Sequence, residues 1–246
     1  MVEPKLRTAE KVKPPYPLGR FPTDFPFKVG KEIIYKLSTE IQPTIEGPEW
    51  ERIFAQAINA KWKPSNIGLD DIILGVCAWG AKTVKNPNPF KAKKVRLISG
   101  RNSPAFSYKN FDMNAEPGVL GEQVLGIWNT RVESLRNKFS HLRTVVLIKG
   151  KELKEFVVFE TDTVIYPIEN FVWSRNKSNN LEGKDKNTLE HRFTWQPHGS
   201  QFTIIEPVPE SKICFKIKKP PKLPSEKVLK MVGYSKSWIE VVRPKD

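Results

Sequence analysis

GLDDIILGVCAWGAKTVK, residues 68–85, is the stretch on which the fold turns. Paired acids, Asp70 and Asp71, open it. An apolar run rich in β-branched and small residues follows, and Lys82 and Thr83 stand near its end. The run predicts extended structure, with Gly75 or Gly80 marking a bend or bulge. Folded that way, the acids and the lysine lie about one strand apart and face one point. A carboxylate there holds a hard divalent cation through oxygen. A lysine facing the same point stabilises charge on a phosphate or orients a water.

The composition supplies a matching partner. The chain of 246 residues carries 41 Lys and Arg against 27 Asp and Glu, a net charge of +14. Such an excess points to a polyanion; a merely basic protein is the bland alternative. A membrane surface fits less well, because no long basic amphipathic helix stands out. Apolar residues make up 39%, with 7 Trp and 14 Phe, which is enough for one large core and excludes a disordered chain. Cys77 and Cys214 are far apart, form no metal-ligand cluster and read as buried thiols of a reducing, cytoplasmic compartment. No apolar stretch approaches the roughly 20 residues needed to cross a bilayer, so no membrane partner is expected. P-loop, GxGxxG, HExxH and zinc spacings are all missing, which argues against a nucleotide cofactor, dehydrogenases and zinc hydrolases.

Three regions are expected. Residues 1–27 form an extended, proline-rich basic arm, with the folded part beginning near Lys31. Residues 28–218 form the core with its loops. Residues 219–246 form a linker, through KKPPKLP, and a terminal segment. Within the core, apolar spacing predicts a helix over 48–62, with Glu49 and Glu51 in its first turn. The strongest helix pattern covers 119–139, where Leu120, Val124, Ile127, Trp128, Val132, Leu135 and Phe139 recur every three or four residues. Strands are expected at 72–85, 95–99, 144–149, 156–160, 163–168, 202–206 and 213–218. Residues 100–117 read as an irregular loop. The order of these elements implies an α/β (α+β) fold, a central mixed sheet flanked by helices.

The span from Gly47 to Thr83 resembles the core of the PD-(D/E)xK nuclease superfamily, type II restriction endonucleases above all. That family places a glutamate on a helix before the catalytic hairpin, and GPEWERIFAQAI offers Glu51, with Glu49 as the alternative. Its metal-binding aspartate is matched by Asp71 or Asp70, and its lysine by Lys82. The resemblance departs at Gly80, where the family carries an acid two residues before the lysine. It therefore implies a carboxylate from elsewhere, Glu122 or Glu116 on the later helix or Glu51 itself. The resemblance implies a restriction-endonuclease-like core and a homodimer that hydrolyses double-stranded DNA at a specific site. It also implies Mg²⁺ held by Asp71, Asp70, Glu51 and Glu122, with Asp71, Lys82 and Glu51 catalytic.

Polar loops supply candidates for DNA contact. HRFTWQPHGSQF brings Arg192, Gln196, His198 and Gln201 together, and arginine and glutamine read base edges through paired hydrogen bonds. SGRNSP adds Arg101 and Asn102; SRNKSNN adds Arg175 and Lys177. The first reads equally as a turn with solvated polar residues around a core-packed Trp195, and the other two read more readily as solvated loops. Two other readings remain open: a non-catalytic basic protein that binds nucleic acid, and a metal-independent enzyme that excises bases through His198.

Overall fold

The computed structural model describes residues 12–64 and 68–242. Helices α1 (Phe25–Thr39) and α2 (Gly47–Ala57) lead into β1 (Lys61–Trp62), β2 (Ile72–Leu74), β3 (Cys77–Lys85) and β4 (Lys94–Arg101). Then come α3 (Pro104–Ser107), α4 (Pro117–Arg136), β5 (His141–Lys149) and β6 (Glu155–Asp162). Strands β7 (Phe171–Arg175), β8 (Leu181–Asp185), β9 (His191–Gln196), β10 (Gln201–Pro207) and β11 (Ile213–Lys216) precede α5 (Ser225–Met231). The fold is mixed α and β.

Two sheets divide the strands. The first runs β1-β2-β3-β5-β6-β11, and the second runs β4-β10-β9-β8-β7. The pairing of β3 with β5 is parallel; every other pairing in the first sheet is antiparallel. A parallel pair needs a long crossover. Here β4, α3 and α4 provide it. Strand β5 is covered on both faces, which explains its unbroken apolar run from Val145 to Ile148. Val145 and Leu147 pack with Trp50, Phe54 and Trp79 under α1 and α2. Val146 and Ile148 face the other way, against Val95 and Leu97 of β4. On that far side α4 buries Leu120, Val124, Trp128, Val132 and Leu135 against the second sheet. Truncating Phe54 or Trp50, both fully buried, should cost about 3–5 kcal/mol.

The structure corrects several expectations. Residues 12–27 are not a loose arm. Phe25 is fully buried at the head of α1, and Tyr16 and Phe21 pack against the same core. His141 Nε2 lies 2.8 Å from the Val12 carbonyl, and Arg143 Nη2 donates to the Tyr16 carbonyl at 3.0 Å. Arg143 also pairs with the buried Glu160 carboxylate at 3.0 Å, and Trp79 donates to that carboxylate at 3.4 Å. Residues 12–21 thus form a strap fastened by a buried ion pair. Residues 1–11 lie outside the described residues.

Helix α2 ends at Ala57 rather than Trp62. Asn59 takes a left-handed φ of 55°, a conformation that stops helices, and Trp62 enters β1. Residues 163–168 are not a strand. They are latched to α4 instead: Trp128 donates to the Val164 carbonyl at 3.0 Å, and Asn129 bonds both the Tyr166 carbonyl and its N–H. Cys77 is buried, but Cys214 is exposed. Among the described residues no helix is long and apolar enough to cross a membrane.

Candidate active site

Gly75, with φ of 59°, turns the chain tightly between β2 and β3, as a positive φ requires. Ile72 then pairs with Trp79, and continuing that register sets Asp71 opposite Gly80. Lys63 N–H donates to the Asp71 carbonyl at 2.7 Å, which ties the acid's backbone to the end of β1. Asp71 itself is buried. Two residues beyond Gly80, Lys82 points its ammonium at the Gly68 carbonyl, 3.4 Å away.

The electrostatics gather three more groups around Lys82. Burial pushes its pKa below the ordinary lysine value. Asp71 and Glu51 push it back up, and Arg131 pushes it down. Glu51 comes from α2, and its Oε2 accepts the Trp62 indole N–H at 3.0 Å. Burial raises the Glu51 pKa; the Trp62 bond and Lys82 oppose that, while Asp71 adds to it. The helix glutamate, one acid of the Asp70/Asp71 pair and the lysine are therefore within electrostatic reach of one another. Glu49 is committed elsewhere: its carboxylate closes the capping box of α2 by accepting the Glu46 N–H at 3.1 Å.

The metal ligands named from the sequence are not all assembled. Among the described residues no group of three or more His, Cys, Asp or Glu side chains could hold a metal ion. Asp71, Asp70, Glu51 and Glu122 therefore do not form a four-ligand cage. Glu122 stands exposed on α4, because the stripe of Leu120 and Val124 turns it outward. Asp70 is half-buried, and it is Asp71 whose charge raises both Lys82 and Glu51. Nor can position 80 supply the acid. A Cβ there would meet the Gly68 carbonyl oxygen at 2.8 Å and the Leu69 Cα at 3.0 Å. Two carboxylates remain, Asp71 and Glu51.

Arg131 is the member that sequence reasoning missed. Its Nη1 donates to Asn102 Oδ1 at 3.0 Å and to the Ser99 carbonyl at 3.3 Å. The available signal was an arginine beside the apolar stripe of α4, one residue before Val132. Asn102 is thereby corrected as a DNA contact. It is fully buried; its amide donates to the Val124 carbonyl at 2.9 Å, and its own carbonyl accepts the Trp195 indole at 2.7 Å. It holds Arg131 in place.

Arg192 is corrected for a similar reason. Its guanidinium bonds the Ile205 carbonyl, the Tyr166 hydroxyl at 3.1 Å and Glu206 at 2.9 Å. It is a strut inside the second sheet. The other loop candidates collect at one end of that sheet. Gln201 pairs with both Gln196 and Arg101, so the three stand in one cross-strand row. His198 is exposed on the adjoining turn. Arg175 closes the same end of β7 and is held by Asn179 at 3.2 Å and the Met113 carbonyl at 2.7 Å. Lys177 is exposed in the turn that follows. This loop end meets the Lys82 site through Asn102 and Arg131. No protein-family model, curated protein or solved structure matches the chain.

Proposed function

We propose that the chain is a Mg²⁺-dependent, site-specific endonuclease that hydrolyses phosphodiester bonds of double-stranded DNA in the cytoplasm. One observation carries the reading: the buried Lys82 ammonium lies within electrostatic reach of Asp71 and Glu51, with Arg131 as a second cation. Hydrolysis of a phosphodiester develops negative charge on the phosphoryl and leaving oxygens. Lys82 and Arg131 offset that charge. A lysine whose pKa is lowered by burial also carries a lone pair near neutrality more readily than a solvated one, so Lys82 can accept a proton from the attacking water. Asp71 and Glu51 would hold Mg²⁺, which when bound supplies further charge neutralisation and orients water. The loop end with Arg101, Gln196, His198 and Gln201 would face the grooves.

The small acid count favours one rival, a non-catalytic binder of nucleic acid. Plasmid incubated with the protein in Mg²⁺ and in EDTA separates the two. Discrete fragments that need Mg²⁺ support cleavage. A mobility shift with intact plasmid supports the binder. Alkali-labile sites formed in EDTA would instead point to base excision at His198.

A further inference from the structure

A cavity of about 470 Å³ lies at the carboxyl ends of the parallel strands β3 and β5. Lys85 closes β3, Lys149 closes β5, and the two are direct cross-strand partners. Like charges set opposite each other on neighbouring strands destabilise a sheet. One of this pair is also buried: Lys149 is 2% exposed, and its ammonium bonds the Ile45 carbonyl. A single carboxylate serves both lysines. Glu46 Oε1 accepts from Lys149 at 3.0 Å and from Lys85 at 3.4 Å. Glu46 is the N-cap of α2, which fixes it in place. Burial pulls the Lys149 pKa below the ordinary lysine value, and Glu46 holds it up. Lys151, on the turn after β5, adds a third ammonium, while Glu152 beside it is paired with Lys154. Three ammonium groups thus line the cavity with one carboxylate, a surplus of two positive charges. Pro43, Ile45, Pro87 and Leu153 supply an apolar wall.

We propose that this cavity binds a small phosphate monoester, its phosphate bridging Lys85, Lys149 and Lys151 and its organic body lying on the apolar wall. A phosphate monoester carries close to two negative charges at neutral pH, which matches the surplus. A carboxylate would leave one ammonium uncompensated, and inorganic phosphate would leave the wall bare. The volume is that of a small-molecule site. Crevices outside the carboxyl ends of parallel strands are a common place for such ligands. Lys82 and Lys85 stand three residues apart on β3 and so point to opposite faces of the sheet. The cavity is therefore separate from the Lys82 hairpin, and the inference does not depend on whether the chain cuts DNA.

Isothermal titration calorimetry of the full chain with phenyl phosphate, inorganic phosphate and benzoate tests it. Phenyl phosphate should bind one-to-one, at least ~10-fold tighter than either of the other two, and Lys85→Gln or Lys151→Gln should each weaken it about 10-fold, the scale of one charge-assisted hydrogen bond. Both lysines are exposed, so thermal melts of the two variants should stay close to wild type and exclude unfolding. Lys109→Gln removes the same charge from an exposed position outside the cavity and should bind phenyl phosphate as wild type does. Binding in Lys82→Ala should also be unchanged; a loss there would place the phosphate at the hairpin and overturn the proposal. So would no binding at millimolar phenyl phosphate, equal affinity for benzoate or inorganic phosphate, full affinity in either cavity variant, or an equal loss in Lys109→Gln.

Discussion

A Cβ on Gly100 would stand 2.8 Å from Arg131 Nη1 and 2.9 Å from Nη2. Gly100 also has φ of 115°, a backbone conformation that side chains resist. The glycine is therefore the floor of a cradle in which the guanidinium lies, within electrostatic reach of Lys82. Gly100→Ala should displace Arg131 and slow cleavage by about 10- to 100-fold, close to Arg131→Gln, since both remove one aimed donor. A rate near wild type in both variants would detach Arg131 from the site.

Arg131→Gln carries a second readout. Burial is the larger cause of the low Lys82 pKa, and Arg131 adds to it; removing that cation must raise the lysine pKa. Glu51→Gln removes an anion that props the pKa up and must lower it. NMR titration of labelled lysine should therefore show shifts of opposite sign. Because the folded pKa lies below that of the unfolded chain, the unfolded state binds more protons between the two values. Stability should thus rise with pH across that window and less steeply in Arg131→Gln. Shifts of the same sign in both variants would refute the four-group arrangement.

Lys82→Ala should bind DNA nearly as wild type and cut it at least ~100-fold more slowly, the scale of a lost electrostatic or proton-transfer group. Asp71→Asn should abolish the Mg²⁺-dependent reaction, and Asp70→Asn should be milder. Single-turnover cleavage, with binding measured separately, decides the order. If Asp70→Asn proved the more damaging, the ligand assignment within the pair would reverse.

Glu49 and Glu51 lie two residues apart on α2 but serve different ends. Glu49→Gln keeps an oxygen acceptor for the capping box and should leave both stability and cleavage nearly unchanged. Glu51→Gln should leave the melting temperature within a few degrees of wild type and remove most cleavage. Paired melts and rate measurements separate them; a catalytic loss in Glu49→Gln with normal Glu51→Gln would exchange their roles.

The second sheet offers a similar contrast. Arg192→Ala leaves Glu206 and the Tyr166 hydroxyl short of a partner and should destabilise the fold by about 2–3 kcal/mol. Gln201→Ala should leave stability intact and reduce preference for the specific site, each good base contact being worth roughly 1–3 kcal/mol. Denaturant melts beside competition against random DNA test both. Specificity lost in Arg192→Ala at unchanged stability would restore it as a base reader.

What could be read from the sequence followed the strength of the local pattern. Helix α4 and strand β5 carry unbroken periodicities, and both were legible to within a few residues. The head of α1 was hidden by proline and charge, although Phe25, Val29 and Ile33 keep helical spacing. Strands β7 and β8 were lost in a polar stretch, because their exposed positions lean on cross-strand pairing that no local pattern records. Residues 163–168 alternate like a strand, yet α4 side chains take up their backbone groups. Asp71, Lys82 and Glu51 were legible because a short hairpin and its preceding helix hold them. Arg131 was not, since its tie to Asn102 crosses 29 residues and its influence on Lys82 joins α4 to β3, elements far apart in sequence. Asn102 and Arg192 failed as DNA contacts for one reason: a polar side chain in a loop sequence does not reveal which buried carbonyl it serves.

The strap of residues 12–21 has a consequence for how the chain is made. Tyr16 leaves the ribosome early, but Arg143, which grips its carbonyl, is made 127 residues later. Closing a loop of that length costs roughly 4 kcal/mol of chain entropy, and nothing made earlier supplies the buried carboxylate of Glu160 that completes the clasp. Until β5 and β6 emerge, Trp79 has neither its lid nor its acceptor, and the hairpin that carries Lys82 stays half-clothed. Synthesis thus delivers the Lys82 hairpin first and its fastening later, once residue 160 of the 246 has been made.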